Sequence, residues 1–169
     1  PFWEKLLFYP GSGQVVKDLF TQDMDRVIGK TLKDALYHVK RLDISIGIDI
    51  SDISEKESAK AELERSLAPF KVLAAAWSGG VMLGPGKCDD MAYARLLKHV
   101  GTTGDLPETL ESEALRAMVA CGLGVDSIPA NRSAIADVLT RDGCVPALAY
   151  DLTFPEVFYP TGVPFGRRG

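Results

Sequence analysis

The chain has 169 residues, 46% apolar and 25% charged, which is typical of one ordinary globular domain that buries a core of its own. The net charge is −4 and no long basic run is present, which argues against a duplex nucleic-acid surface, because such surfaces need clustered Lys and Arg. The longest uninterrupted apolar run, 72–77, is far shorter than the roughly 20 residues of a membrane-spanning helix, so we expect no transmembrane segment.

The cysteines indicate a reducing environment. Cys88, Cys121 and Cys144 are odd in number and lie far apart in the sequence, which suits neither a disulfide framework nor a paired-cysteine zinc site. We therefore expect reduced thiols and a reducing intracellular compartment, and we predict no metal site.

The first predicted elements are a short strand, a turn and a helix, in the sequence "LLFYPGSGQVVKDLF" at residues 6–20. The helical spacing of apolar residues continues past Gly29 as far as Val39. One long helix that bends at Gly29 satisfies this spacing, and so do two helices that meet there.

A second strand is predicted over 42–50, where the sequence is "LDISIGIDI". Leu or Ile alternates strictly with a small or acidic residue, so that one face would be apolar and the other polar. This is the strongest strand signal in the chain. Asp49 lies at its end.

The next predicted elements are a surface helix and a buried strand. Ser54 and Glu57 form a capping box for a helix that would extend to Leu67 and end before Pro69. The run "FKVLAAAW" at 70–77 is then interpreted as a third, more buried strand. A glycine-rich loop, "SGGVMLGPGK", follows it.

Three further helices are predicted in the second half of the chain. One covers about 89–100 and ends at Gly101, and another is announced by Asp105 and extends to Cys121. A third is capped by Asn131 and ends at Gly143.

A last strand, "CVPALAYDL" at 144–152, would lie at a sheet edge because Pro146 cannot donate a ladder hydrogen bond. Strands and helices thus alternate, which predicts a single α/β domain over 1–152. Its sheet would have about four strands, mixed or parallel, flanked by five or six helices. The Pro- and Gly-rich segment 153–169 would form an extended C-terminal arm.

Both ends of the chain are rich in aromatic residues, although chain ends usually carry few large apolar groups. We expect these side chains either to pack on the domain itself or to bind a partner chain. The candidate partner-binding residues are Phe2, Trp3, Phe154, Phe158, Tyr159 and Phe165.

The opening turn is a candidate cofactor site. A glycine turn between a strand and a helix N-terminus offers unpaired N–H groups and a helix dipole to an anion. The sequences "LLFYPGSG" and "SIGIDIS" together resemble the cofactor half of class I S-adenosylmethionine-dependent methyltransferases. The resemblance implies that Gly11 and Gly13 form the cofactor loop and that Asp49 binds the ribose.

Two other motifs are incomplete. The sequence "VMLGPGKC" is similar to a P-loop at Lys87, but Val81 replaces the first glycine and Cys88 replaces the magnesium-binding Ser or Thr. Ser78 follows the predicted strand 70–77 as a nucleophile would, but no helix begins directly after it.

The sequence therefore supports two hypotheses. The first is a non-catalytic structural or accessory subunit, without a cofactor or catalytic residues, which binds a protein partner or forms a homo-oligomer. The alternative is a small or degenerate S-adenosylmethionine-binding, methyltransferase-like domain.

Overall fold

The protein is helical in the part of the chain that the structure describes. A computed structural model describes residues 6–14, 21–44 and 50–139. The helices of these residues are α1 (Thr21–Ile44), α2 (Ile50–Leu83), α3 (Asp90–Thr103), α4 (Glu113–Leu123) and α5 (Arg132–Leu139). The same residues contain no β-strand or sheet; an isolated bridge joins Thr109 and Asn131, and Phe8 takes part in another bridge. The predicted α/β fold with a four-stranded sheet is therefore wrong.

Helix α2 is the centre of the fold and contacts each of the other four helices. The run 70–77, predicted as a buried strand, is part of this helix, and Phe70 and Val72 to Ala76 are almost fully buried. An apolar run without periodicity fits a helix buried on all sides as well as a buried strand. The three alanines favour the helix.

The prediction that a helix ends before Pro69 is wrong. Pro69 lies inside α2, which has 34 residues and continues to Leu83. A proline inside a helix removes one backbone hydrogen bond. The packing of α2 against four helices outweighs that cost.

The predicted strand 42–50 is also wrong at both of its described ends. Leu42, Asp43 and Ile44 are the last residues of α1, and Ile50 is the first residue of α2. Residues 45–49, including Asp49, lie outside the described residues. Leu42 follows Val39 by three positions, so the helical phase of α1 competes with the alternation that indicated a strand.

Helices α2 and α4 pack with their backbones in close contact. A Cβ atom on Gly79 would overlap the carbonyl of Met118, and one on Gly122 would overlap the carbonyl of Ala75. Only glycine fits at these two positions, because any side chain would push the helices apart.

The three helices predicted after residue 88 are present. The ends of α3 and α4 differ from the prediction, whereas the predicted end of α5 at Gly143 lies outside the described residues. Helix α3 ends at Gly104 (φ 75°) instead of Gly101, and α4 begins at Glu113, later than expected. The Asn131 cap of α5 is confirmed, since its Oδ1 accepts from the Ser133 N–H at 2.9 Å.

Residues 7–14 form a turn segment with a bridge at Phe8 and not a strand, and Leu6 before them is helical. The Tyr93 hydroxyl, fully buried in α3, donates to the carbonyl of Leu6 at 2.7 Å. Burial raises the pKa of Tyr93 well above its ordinary value. Pro10 packs against Gly80, where a Cβ would lie 2.7 Å from the proline ring. The segment is thereby fixed to both α2 and α3.

Several predictions fall outside the described residues: the strand 144–152, the arm 153–169 and the six aromatic partner-binding candidates. Cys88 and Cys121 are free thiols, whereas Cys144 belongs to the part that is not described.

One described helix, over Ile53–Leu83, is long and apolar enough by composition to cross a membrane. The prediction of no transmembrane segment used only the length of uninterrupted apolar runs, and this helix contains polar residues between its apolar ones. However, 61% of its most apolar stretch is buried inside the protein, and core helices of soluble proteins meet the same criterion. The absence of a transmembrane segment stays a prediction.

Candidate functional site

In the opening turn, the backbone N–H groups that could bind a cofactor anion bind a carboxylate of the protein itself, that of Asp90. The N–H groups of Gly11 and Ser12 donate to Oδ1 and Oδ2 of Asp90, at 2.9 and 3.1 Å. Asp90 is the first residue of α3, so this contact joins the turn to the beginning of that helix. The two donors that a cofactor phosphate or carboxylate would use at this point are engaged by a side chain.

The two glycines serve this internal contact. A Cβ on Gly11 would lie 3.0 Å from both Asp90 Oδ1 and the Cβ of Cys88. Gly13 has a φ of 66°, which favours glycine, and its N–H donates to the carbonyl of Tyr9 at 2.8 Å. Both residues are thus explained by the geometry of the turn.

The proposed ribose partner Asp49 lies outside the described residues, so the structure does not bring it together with Gly11 and Gly13. The strand that would carry it is absent at residues 42–44 and 50, which are helical. No observation in the described part of the chain favours the methyltransferase-like site, which stays a prediction from the sequence.

The P-loop-like segment connects two helices, α2 and α3, instead of a strand and a helix. The Cys88 thiol, at the position of the missing Ser or Thr, points at the carbonyls of Gly80 and Gly84, with Sγ 3.0 and 3.1 Å from the two oxygens. Burial, and then the nearby Asp90 carboxylate, raise the pKa of this thiol. The thiol therefore caps the end of α2.

Ser78 is not at an elbow. It lies inside α2, is buried, and its hydroxyl donates to the carbonyl of Ala74 at 2.8 Å. Among the described residues, no group of three or more His, Cys, Asp and Glu side chains is placed to hold a metal ion.

A paired cap, not predicted from the sequence, joins the beginnings of α3 and α4. Asp89 Oδ1 accepts from the Ala92 N–H at 2.9 Å and caps α3, while Ser112 Oγ accepts from the Leu115 N–H at 3.2 Å and caps α4. The Ser112 hydroxyl also donates to Asp89 Oδ2 at 2.6 Å. This bond, followed by the backbone bond from Ala92, lowers the pKa of the Asp89 carboxyl below its ordinary value.

A cleft of about 520 Å³ opens beside this paired cap, between α3 and the loop 107–112. Its volume lies in the range of roughly 300–1,000 Å³ that is typical of ligand pockets. Its apolar lining comes from Ala92, Leu96, Pro107, Leu110 and Leu115. Its polar lining comes from Asp89, Arg95, His99, Thr109, Glu111 and Ser112. An apolar base and a few polar groups make this cleft the candidate functional site.

The loop wall of the cleft is fixed from α4 and α5. Arg116 of α4 donates to the carbonyls of Leu110 and Glu111, at 2.6 and 2.9 Å. Arg132 of α5 donates to the Leu106 carbonyl at 3.2 Å and forms an ion pair with Asp105 at 2.7 Å. Because both arginines fix the position of the loop, the cleft is built into the fold.

Four side chains on the rim have hydrogen-bonding groups to spare. The Arg95 Nε donates at 3.4 Å to the carbonyl of Met91. Its terminal nitrogens donate no hydrogen bond to a described residue, although its positive charge helps to lower the pKa of Asp89. The side chains of His99, Thr109 and Glu111 make no hydrogen bond or ion pair with any described residue. Asp89 and Ser112, by contrast, are paired with each other.

A sequence signal for the cleft does exist, but it is short. Arg95 and His99 are four positions apart, which places them on one face of a helix. The opposite wall comes from a loop whose position depends on contacts with α4 and α5, and no spacing in the sequence indicates it.

Comparison with known proteins gives no family: no protein-family model matches the chain, and no curated protein or solved structure matches it significantly.

Proposed function

We propose that this protein is a non-catalytic structural or accessory subunit that acts through protein–protein contacts. The observation that carries the proposal is a set of large apolar side chains exposed at one end of the described helices. They are Phe8, Val81, Met82 and Met91, and the two methionines are 67% and 66% exposed. We call this set the end surface.

The four residues share one end because of the connections around them. Val81 and Met82 lie in the last turn of α2, and Met91 lies in the first turn of α3, which begins after a short loop. Phe8 belongs to the turn segment that is bound to Asp90. Exposed apolar groups that cluster in this way are typical of protein interaction sites, and methionine adapts well to a partner surface.

The polar groups of the sequence-predicted sites support the same proposal. The Gly11 and Ser12 N–H groups, the Ser78 hydroxyl and the Cys88 thiol all have partners within the fold. None of them is available to a cofactor without rearrangement. This favours a role in contacts over a role in chemistry.

The first test combines light scattering with thermal-shift titration. We expect the mass of the purified protein to rise above that of a monomer with concentration, and Met82→Ser with Met91→Ser to reverse this rise. Ile53→Ser is the matched control, because Ile53 is also exposed and lies about 45 Å along α2 from Met82.

The thermal shift decides between the two hypotheses from the sequence. We expect no change in melting temperature with S-adenosylmethionine, S-adenosylhomocysteine or ATP. A ligand at 100 times its Kd would stabilise the protein by about 2.7 kcal/mol, which is easily seen. A shift with the two methionine-derived ligands alone, on a protein that is monomeric at all concentrations, would overturn the proposal.

A further inference from the structure

We propose that the cleft between α3 and the loop 107–112 binds the C-terminus of a partner polypeptide whose last residue is apolar. The proposal rests on the proposed function, because it assigns a partner chemistry to a protein that acts through contacts. It concerns a different surface from the end surface, and it can be tested separately.

The α3 wall of the cleft is suited to a carboxylate. Arg95 and His99 are one helical turn apart, so that their side chains can reach the same group from neighbouring positions. The Arg95 guanidinium has donors to spare, and so does the His99 ring. A charge-assisted bond between guanidinium and carboxylate is among the stronger hydrogen bonds in proteins.

The Asp89 carboxylate already occupies one anionic position in the lining of the cleft. Asp89 lies at the N-termini of α3 and α4 and accepts from Ala92 and Ser112. A second carboxylate at that place would be repelled and would find its donors in use. The free carboxylate of a ligand is therefore directed to Arg95 and His99 at the rim.

The loop wall distinguishes a peptide from a simple fatty acid. The Thr109 hydroxyl and the Glu111 carboxylate are both exposed on this wall and can accept hydrogen bonds. A peptide brings backbone N–H donors to these acceptors, whereas a fatty acid brings none. Leu96 and Leu110, which line the cleft beneath, are the contacts for the last side chain.

The rigidity of the cleft supports recognition of a short segment. The loop wall is held by Arg116 and Arg132, and the Leu110 N–H donates to the Ala130 carbonyl at 2.8 Å. A preformed site saves the cost of ordering a loop on binding. Few contacts are then enough for measurable affinity.

The test uses fluorescein-labelled Gly-Ser-Ala-Leu as a free acid and as the C-terminal amide, with fluorescence anisotropy as the readout. We expect the acid to bind and the amide to bind at least tenfold more weakly, as the loss of hydrogen bonds to a charged group predicts. Unlabelled octanoate, an apolar acid without N–H groups, should compete poorly.

Variants locate the binding. Arg95→Gln combined with His99→Gln should weaken binding of the acid about tenfold or more, and Glu111→Gln should weaken it less. Lys60→Gln is the matched control, because Lys60 is an exposed cation on α2 that does not line the cleft. Circular dichroism of each variant confirms that it is folded.

Three results would overturn the proposal: no binding of the acid, equal binding of acid and amide, or unchanged affinity in the Arg95 and His99 double variant. Competition by octanoate as effective as that of the unlabelled peptide would overturn the assignment to a polypeptide. The proposed function fails separately, if the protein is monomeric at all concentrations and its melting temperature shifts with the two methionine-derived ligands alone.

Discussion

Asp89 and Asp90 are adjacent in the sequence, and each places its carboxylate where backbone N–H groups converge. Asp89 accepts from Ala92 within its own helix and from the Ser112 side chain, and Asp90 accepts from Gly11 and Ser12. Two positions that could have bound an external anion are thus filled by the protein. The consequence is structural: these contacts fix the turn segment and the start of α4 to the start of α3.

The Asp89 contacts make a first prediction about stability. Asp89→Ala should lower the free energy of unfolding by about 1–2 kcal/mol, because α3 loses its cap. Asp89→Asn should cost less, since Asn caps helices as well as Asp does; its single oxygen can accept from the Ala92 N–H, while an amide NH2 replaces the Oδ2 that accepts from Ser112. Urea unfolding of the three proteins at pH 7 measures the difference. An equal decrease in the free energy of unfolding in both variants would show that the charge of Asp89, and not its helix cap, stabilises the fold.

The same residue predicts a pH dependence. The folded-state pKa of Asp89 is lowered, so its stabilising contribution is fully present above the ordinary carboxyl pKa of 3.8 and is lost as pH falls through the folded pKa. Asp89→Asn carries no such group. The stability difference between wild type and Asp89→Asn should therefore shrink between pH 5 and the acid limit of folding. A difference that is constant with pH would contradict the assignment.

Asp90 makes a prediction about local order. Asp90→Ala removes the acceptor of the Gly11 and Ser12 N–H groups, so both amides should exchange with solvent faster. Hydrogen exchange followed by NMR measures this. Asp126→Ala, at another exposed aspartate, is the control and should leave both amides unchanged. Unchanged protection in the Asp90 variant would mean that the turn holds its shape without the carboxylate.

At the scale of elements, the closest packing in the fold lies between α2 and α4. Gly122→Ala should lower the free energy of unfolding by about 1–3 kcal/mol or more, because the new methyl group would overlap the Ala75 carbonyl. Helix propensity alone would favour alanine by about 1 kcal/mol, so a loss can only come from the overlap. Gly86→Ala, with no atom near its Cβ position, is the control. Equal thermal stability of both variants would contradict this packing.

The elements also show which sequence signals are reliable in this chain. The Asn131 cap is a local signal, set by groups two residues apart, and it correctly marked the beginning of α5. The run 70–77 has no local signal that separates helix from strand, because it is apolar on every face. Its state is decided by the four helices around it, and these contacts are not visible in the run itself.

The turn at Gly11 shows how far the sequence could predict a site. The pattern correctly indicated N–H groups able to bind an anion, but their acceptor, Asp90, is 79 residues further along the chain. The cleft was missed for a similar reason, since the Leu110 N–H of its loop wall donates to the carbonyl of Ala130, which is distant in the sequence. Long-range contacts of this kind leave no spacing that a single sequence reveals.

At the scale of the whole molecule, the packing of α2 predicts how the protein behaves toward a membrane. This helix contacts α1, α3, α4 and α5, and Gly79 of α2 and Gly122 of α4 allow the two backbones to come into close contact. A membrane-spanning helix presents its apolar side chains to lipid, whereas most of those in α2 are already covered by protein. We therefore expect α2 to be a core helix.

Extraction of membranes from expressing cells with alkaline carbonate tests this expectation. The protein should leave the membrane fraction without detergent, because no apolar helix would be inserted in lipid. Met82→Ser with Met91→Ser is the informative control, since these residues could attach the end surface to a membrane from one side. If carbonate released the double variant but not the wild type from the membrane fraction, the end surface would be attached to the membrane from one side. Retention of both proteins until detergent is added would contradict the core position of α2 and would require its packing against α4 to open.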